Sequence, residues 1–438
     1  MVVPDNVVIA VREYVQESTV KHHQQMLGIC TLKLMQVYYN TNQLLFALFL
    51  TGLFYKIIML NKKFKLQDTL DVYISELEND KVVITFSRMT TRERLEITTH
   101  RNVATFLACL NGKQTASELL TNLGHFDIKQ AVKLLDFLQS KHLIYEVDNR
   151  ETENPRYSRQ IAYFDDMVLN QTGNESQQKL QNKHIVIIGC GAVTGAIAEI
   201  LARAGVEKFT LIDNKKVHQS DLLRHLFCRL AQVGSYKTDA LADYLKRINY
   251  KIQTTIFHDK LLPQTNLNYW ISDDVDLVLN GCDEPYIGHT SLKIGRFLQT
   301  KNIPMYIMGG FDAHLMSSGE LVFPPQTPCI DCCQQTFQKA LTNWKPIYTE
   351  VEKPNMLVEE INNTSIGQAQ FLDIGGAGGL SAMSLFSANL SCLRIIQFLV
   401  GDTTFDYKTE RYEYLINKGE MTTFEMVKQI NFCGVCNG

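Results

Sequence analysis

The sequence predicts an α/β fold, and three observations carry that expectation. His184-Ile-Val-Ile-Ile188 is an apolar run of strand length that ends in Gly189-Cys-Gly191 and passes into a helical pattern near Val193. Lys208-Phe-Thr-Leu-Ile-Asp213 is a second such run, and its terminal carboxylate falls 22 residues after Gly191. Two cysteine pairs, Cys329/Cys332 and Cys433/Cys436, lie downstream of both. Apolar strands alternating with helices describe a parallel sheet covered on both faces. Glycines at a strand-to-helix turn let backbone amides approach phosphate, and the helix N-terminus adds partial positive charge there. Asp213 has the spacing of an acid that binds ribose hydroxyls. The cysteine pairs supply four thiolates for a closed tetrahedral zinc site, structural and not catalytic. The expectation is a Rossmann-like domain stapled by zinc.

At 438 residues the chain has room for two or three domains and one large core. A hydrophobic content of 45% with 20% charged residues describes a globular protein, and the net charge of −3 gives no reason to expect a nucleic-acid surface. Eleven cysteines form no secretory framework, so reduced thiols and a cytoplasmic setting are expected.

Residues 1–66 stand apart as an N-terminal extension. Leu44 to Tyr55 is apolar, Lys56 interrupts it, Ile57 to Leu60 resume, and Asn61-Lys-Lys-Phe-Lys65 follows. A membrane helix wants about 20 predominantly apolar residues, which makes residues 44–60 a marginal candidate for membrane contact. A translation start at Met35 or Met59 would remove most of the extension.

Residues 67–150 read as a small α+β module. Asp71-Val-Tyr-Ile-Ser-Glu-Leu77 alternates, Asn79-Asp80 signals a turn, and Lys81 to Phe86 forms a second strand, with Leu95-Glu-Ile-Thr98 as a third. Helical periodicity runs from Asn102 to Leu110. Thr115-Ala-Ser-Glu118 has the capping-box spacing that opens another helix. Ala131 to Leu138 makes a third helix, and His142 to Val147 closes with a strand. Strands, helices, then a strand is the winged-helix order. Lys129, Lys133 and Lys141 are too few on the third helix for a DNA reading. The module resembles leader-binding domains of peptide-modifying enzymes, in which a sheet edge takes the substrate as an extra strand. A purely structural appendage is the alternative. The polar stretch Asp148 to Pro155 separates it from residues 151–438.

That last region resembles the ubiquitin-activating-enzyme-like adenylyltransferases, the ThiF/MoeB/HesA group, at ordered points. Arg156-Tyr-Ser-Arg159-Gln-Ile161 is similar to the family's opening segment. The glycine turn and Leu211-Ile-Asp213 follow, then Ser220-Asp-Leu-Leu-Arg224, Val233-Gly-Ser-Tyr-Lys237 and Gly281-Cys-Asp283. The cysteine pairs sit where the family keeps its zinc ligands. The resemblance implies adenylation, in which a carboxylate attacks the α-phosphorus of ATP and pyrophosphate leaves. Cations must then meet the growing charge. It assigns Gly189, Gly191, Asp213, Asp221, Arg224 and Lys237 to the nucleotide and Asp283 to magnesium. It makes Arg159 a cation lent across a homodimer. Cys329, Cys332, Cys433 and Cys436 become the zinc ligands.

Two departures bear on the nucleotide. Thr194 stands in the place of the third glycine, with Gly195 one position late; it is small enough for close packing, but its β-branch is expected to narrow the turn. Asp221 replaces the family's asparagine, and a carboxylate near a triphosphate is unfavourable unless magnesium or an arginine neutralises it. Some relatives use CTP in place of ATP.

Members that pass the acyl group to a thiol carry a cysteine beyond the first pair. Gln334 to Asn389 contains none, and Cys392 lies in an apolar helical run that reads as core. One remaining branch activates a small carrier protein ending in Gly-Gly. The other adenylates peptides, with the microcin C maturation enzyme as its type, and the front module favours this branch. A catalytically inactive leader-binding scaffold of an azoline-forming complex is a third reading, against which the acid and basic residues above argue.

Overall fold

The computed structural model describes residues 55–427 and Cys433, apart from 56, 125–126, 148–154, 169–170, 285, 310–315, 341–378 and 408–409. Most of the marginal membrane segment, residues 44–54 and 56, therefore lies outside the described residues, as does Cys436. The chain divides into two compact units between positions 169 and 170.

In the first unit, the described end of the apolar segment is helical, with Tyr55, Ile57 and Ile58 exposed and Met59 turned inward. Met59 is buried in the unit's core, and the Tyr55 hydroxyl donates to Asp136 at 2.8 Å. β1 (Lys63–Leu66) is the middle strand of an antiparallel sheet, with β5 (Asn111–Thr115) and β6 (Ile144–Glu146) on either side. β2 (Leu70–Glu76), β3 (Lys81–Arg88) and β4 (Arg94–His100) form a second antiparallel sheet in that order. Val82, Ile84 and Phe86 of β3 all point into the core, as a period of two requires. They meet Phe106 of α1 (Arg101–Cys109), Leu119 of α2 (Ala116–Leu123), and Leu135 and Leu138 of α3 (Ile128–Ser140). The capping box forms as the spacing predicts: the Glu118 amide donates to Thr115 Oγ1 at 3.2 Å, and the Thr115 amide donates to Glu118 Oε2 at 2.8 Å. β1 escapes the sequence reading because it is only four residues long, and β5 because Asn111-Gly-Lys-Gln-Thr115 has no apolar position. They become strands by pairing with each other across the chain.

This unit also takes up α4 (Ser158–Met167), which carries Arg159. The reason is a buried ion pair. Arg88 binds the Asp166 carboxylate and also donates to the carbonyls of Lys141 and His142 at 3.0 and 2.9 Å.

The second unit is built on a six-stranded sheet of order β12-β11-β10-β7-β8-β9. β7 (His184–Ile188), β8 (Lys208–Ile212), β9 (Gln253–Phe257), β10 (Leu277–Asn280) and β11 (Met305–Ile307) are parallel, and β12 (Glu320–Val322) runs antiparallel at one edge. This is the expected α/β architecture. Every residue of β7 is buried, so each aliphatic side chain contributes roughly 1.5–3 kcal/mol of burial. α5 (Gly173–Gln181), α6 (Ala192–Ala204), α7 (Lys237–Ile248) and α8 (Ile287–Lys301) complete the wound part. From β7 the chain winds outward through β8 and β9, then returns to β10 on the other side. The order therefore reverses between β7 and β10, where ligands bind in open α/β sheets.

α9 (Ile330–Ala340) and α10 (Ser381–Val400) follow. By length and composition α10 could cross a membrane. Its Ala388, Cys392, Ile395 and Leu399 nevertheless form a buried stripe at helical spacing, which is the pattern of a core helix. The hairpin β13 (Glu410–Leu415) and β14 (Glu420–Glu425) is fastened to the sheet edge by a side chain the sequence does not announce. Arg411 is fully buried, pairs with Glu320 at 2.9 Å and with Glu413, and lies over the rings of Phe337 and Phe424.

Candidate nucleotide site and cysteine cluster

At the switch point, Gly189 has φ +90°, and a Cβ there would come within 2.7 Å of the Gly281 backbone. Conformation and space both demand glycine. Thr194 closes the turn. Its Oγ1 accepts from the Gly191 amide at 2.8 Å and donates to the Gly189 carbonyl at 2.7 Å. Its methyl packs where any Cβ on Gly281 would lie. The threonine thus braces the turn with its hydroxyl. The late glycine has a separate reason, since a Cβ on Gly195 would strike the Phe227 ring at 2.4 Å.

Asp213, just beyond β8, accepts from the Cys190 amide at 2.8 Å and from the Lys215 amide at 2.7 Å. The carboxylate is thereby locked beside the glycine turn. Across the switch point, the loop after β10 is set by buried Asn280. Its Nδ2 donates to Thr290 Oγ1 at 3.1 Å and Ser291 Oγ at 2.9 Å, and its Oδ1 accepts from the Cys282 amide at 3.1 Å. Thr290 in turn donates to the Cys282 carbonyl at 2.6 Å. This scaffold presents Asp283 to solvent, with no ion pair among the described residues. Beside it, Glu284 takes Lys215 at 2.6 Å and Lys260 at 3.3 Å. Burial pushes the Lys215 ammonium down, but Glu284, Asp283 and Asp213 together hold it above the ordinary lysine value. The two acids expected at ribose and magnesium therefore share one electrostatic neighbourhood.

The segment from Gln219 to Leu223 is a 3-10 turn that carries Asp221, with Arg224 directly after it. Among the described side chains, the cation that neutralises Asp221 is a lysine. Lys237 Nζ, at the start of α7, lies 3.1 Å from Asp221 Oδ1. The His218 amide donates to the other oxygen at 2.8 Å. Burial works against ionisation, yet the His218 amide and the nearby Lys237 and His225 outweigh it and hold Asp221 below the usual carboxylate range. Arg224 carries no ion pair among the described residues and lies beside Gly379.

His225, which the sequence reading passed over, is buried next to this pair, 3.1 Å from the Asp221 carbonyl through Nδ1. Burial first, and Lys237 second, push its pKa down to about 4. A folded value below the unfolded one means that the unfolded chain binds the proton more readily. Stability should be whole above about pH 6.5 and fall as pH drops toward 4. Thermal melts of wild type and His225→Asn between pH 7 and 4 check this. The variant should show a shallower acid limb, and parallel limbs would contradict it. His184, held by Thr210 at 2.9 Å and lowered by burial and Lys208, acts in the same direction.

Cys329, Cys332 and Cys433 are buried with their sulfurs all within 4.8 Å of one another, and Cys329 and Cys433 are 3.5 Å apart. Four thiolates at about 2.3 Å from a zinc ion would be about 3.8 Å apart, so the three described sulfurs fit three corners of such a site. Cys436, the fourth expected ligand, lies outside the described residues. Cys333 is instead part of the sheet's apolar core, and burial raises its thiol well above the ordinary range. Cys392 is also buried, with its sulfur against the Ile197 carbonyl, and burial raises its pKa as well.

Gly189, Gly191, Asp213, Asp221, Arg224, Lys237 and Asp283 all belong to the second unit, around the C-terminal ends of β7, β8 and β10, whereas Arg159 belongs to the first. Sequence reasoning missed Asn280, Lys215, Glu284 and His225. Only Asn280 left a signal, as a lone amide ending the apolar strand Leu277-Val-Leu-Asn280.

A doubly wound parallel sheet with a glycine turn, a strand-end acid and clustered cations at its switch point defines a nucleotide-binding α/β protein. Residues 157–435 match the ThiF family, and the chain belongs to that family. Adenylyltransferase and sulfurtransferase MOCS3 of Culex quinquefasciatus is 30% identical over 159 residues, which are 36% of this chain and 34% of that relative. The chain thus spans about a third of the curated relative it matches. E. coli MccB in a crystal structure with AMPCPP and MccA has a TM-score of 0.62 at 17% identity, covering 85% of this chain and 99% of MccB. The microcin C7 biosynthetic enzyme MccB in complex with N-formylated MccA gives 0.61 at 17% identity, covering 85% and 99%.

Proposed function

We propose that this chain is an ATP-dependent adenylyltransferase that activates the C-terminal carboxylate of a ribosomally made peptide. The supporting observation is the extent of the fold likeness. It runs over 85% of this chain and 99% of MccB, which is more than residues 157–435 alone. The front unit is thus included, and we read it as a winged-helix-like peptide clamp. Its β2 is an edge strand with Tyr73 and Ile74 exposed, which suits addition of a peptide strand.

In the proposed reaction Asp213 binds the ribose, and the glycine turn holds phosphate through backbone amides. Arg224 and Lys237 meet charge developing on the pyrophosphate, while Arg159 of a second copy adds a cation across a homodimer. Asp283 would hold magnesium, which neutralises phosphate charge when bound. The four paired cysteines would hold zinc as a structural tie. CTP is an alternative nucleotide. A cytoplasmic enzyme with no nucleic-acid partner completes the reading. The lack of a cysteine from Gln334 to Asn389, and the burial of Cys392, favour a product that keeps its nucleotide.

Incubation with magnesium, ATP or CTP, and short peptides encoded beside the gene tests this by mass spectrometry. The expected result is a peptide heavier by one nucleoside monophosphate. Pyrophosphate exchange only with a small Gly-Gly-ended protein would replace this reading with carrier activation, which the name of the curated relative favours. Absence of nucleotide binding would point to a leader-binding scaffold.

A further inference from the structure

Lys237, the cation nearest the start of α7, does not stand free to meet a phosphate. Its ammonium lies 3.1 Å from the Asp221 carboxylate, and the two side chains are only 10% and 13% exposed. Asp221 is itself fixed from a second side by the His218 amide at 2.8 Å, so it cannot swing away without losing that bond. Buried His225 packs against the same residue. Arg224 bonds through its amide to the Asp221 carbonyl at 3.0 Å, yet its guanidinium has no ion pair among the described residues. Among the described residues, the two cations proposed for the phosphates thus differ in kind: Lys237 is ion-paired and Arg224 is not. Water screens a pair this sheltered poorly, so its attraction is far stronger than at the surface. A triphosphate that draws Lys237 toward itself must weaken this pair and approach a carboxylate of like charge.

We propose that Asp221 sets nucleotide affinity in this chain, acting as a latch that holds Lys237 against itself and off the phosphates. Asp221 is a positioning residue in this scheme, working through Lys237. The inference rests on the nucleotide-binding reading above, and it adds that the free site is held in a low-affinity state by its own ion pair.

Calorimetric titration of the full chain with ATP and magnesium chloride decides it, using wild type, Asp221→Asn, Lys237→Ala and the double variant. Asn keeps the shape and an acceptor for the His218 amide, and Asp221→Ser serves as a second variant should Asn fold poorly. Thermal melting confirms that each is folded. Asp221→Asn should bind about tenfold or more tighter than wild type, a gain that loss of structure would not produce. The double variant, whose site charge equals that of wild type, should bind within about threefold of it. Wild type that binds nucleotide while folded Asp221→Asn and Asp221→Ser bind no tighter would overturn the latch alone. A double variant that binds far more weakly than wild type would also overturn it, because Lys237 would then already be holding the phosphates. Binding by none of the four proteins would remove the nucleotide reading, and the latch with it.

Discussion

Serine at Cys329 or Cys433 should strip the second unit of zinc and of much of its stability. The three described thiols are buried and mutually close, and they join the start of α9 to a C-terminal residue that the local sequence could not otherwise hold there. Binding energy at such a site is folding energy, with apparent values of about 10–16 kcal/mol for small zinc domains. A larger domain keeps its sheet, so a loss of several kcal/mol and a clear fall in melting temperature are expected. Elemental analysis should give about one zinc per wild-type chain and far less in either serine variant. Cys333→Ser is the control, for Cys333 sits in the apolar core and should keep its metal. A Cys329→Ser protein that retains both zinc and full stability would end the assignment.

Replacing Arg411 by methionine should cost about 3–5 kcal/mol, the range seen when one member of a buried ion group is removed. Glu320 has no exposure, so losing its partner strands a carboxylate in the core between β12 and the C-terminal hairpin. The stacked rings of Phe337 and Phe424, 5.0 Å apart, would also lose the guanidinium that covers them. Urea denaturation of Arg411→Met and of the pair Arg411→Met with Glu320→Met makes the test. The double variant should recover part of the loss, because the fully buried carboxylate of Glu320 has gone with its partner, while Glu413 remains without its arginine. A single variant within about 1 kcal/mol of wild type would show that the group is hydrated and not a buried fastening.

Much of the second unit could be read in advance because its signals are local. β7 and β8 are largely apolar runs, as strands buried on both faces are, and their few polar positions, such as His184 and Thr210, satisfy each other inside the sheet. Glycine at 189 is demanded by a backbone turn that the following helix makes visible. In the first unit, the capping box at Thr115 and Glu118 acts over three residues, and it formed. That Thr194 is small enough to pack closely at the glycine turn follows from its volume, which sequence shows, whereas the bracing by its hydroxyl depends on a direction that sequence does not show.

Sequence by itself determined the α/β class, the order of the nucleotide motifs and the two cysteine pairs, since each depends on residues close together in the chain. Only the tertiary structure decided which charges meet. Arg88 reaches Asp166 and so draws the Arg159 helix into the first unit. Arg411 reaches Glu320 across the sheet edge, and Lys237 reaches Asp221, not open solvent. Strand order and helix docking set these distances, and the strength of a charge pair depends on its distance and on how far water is excluded from it. A sequence reading can name the ions of this site, but their partners follow from the fold.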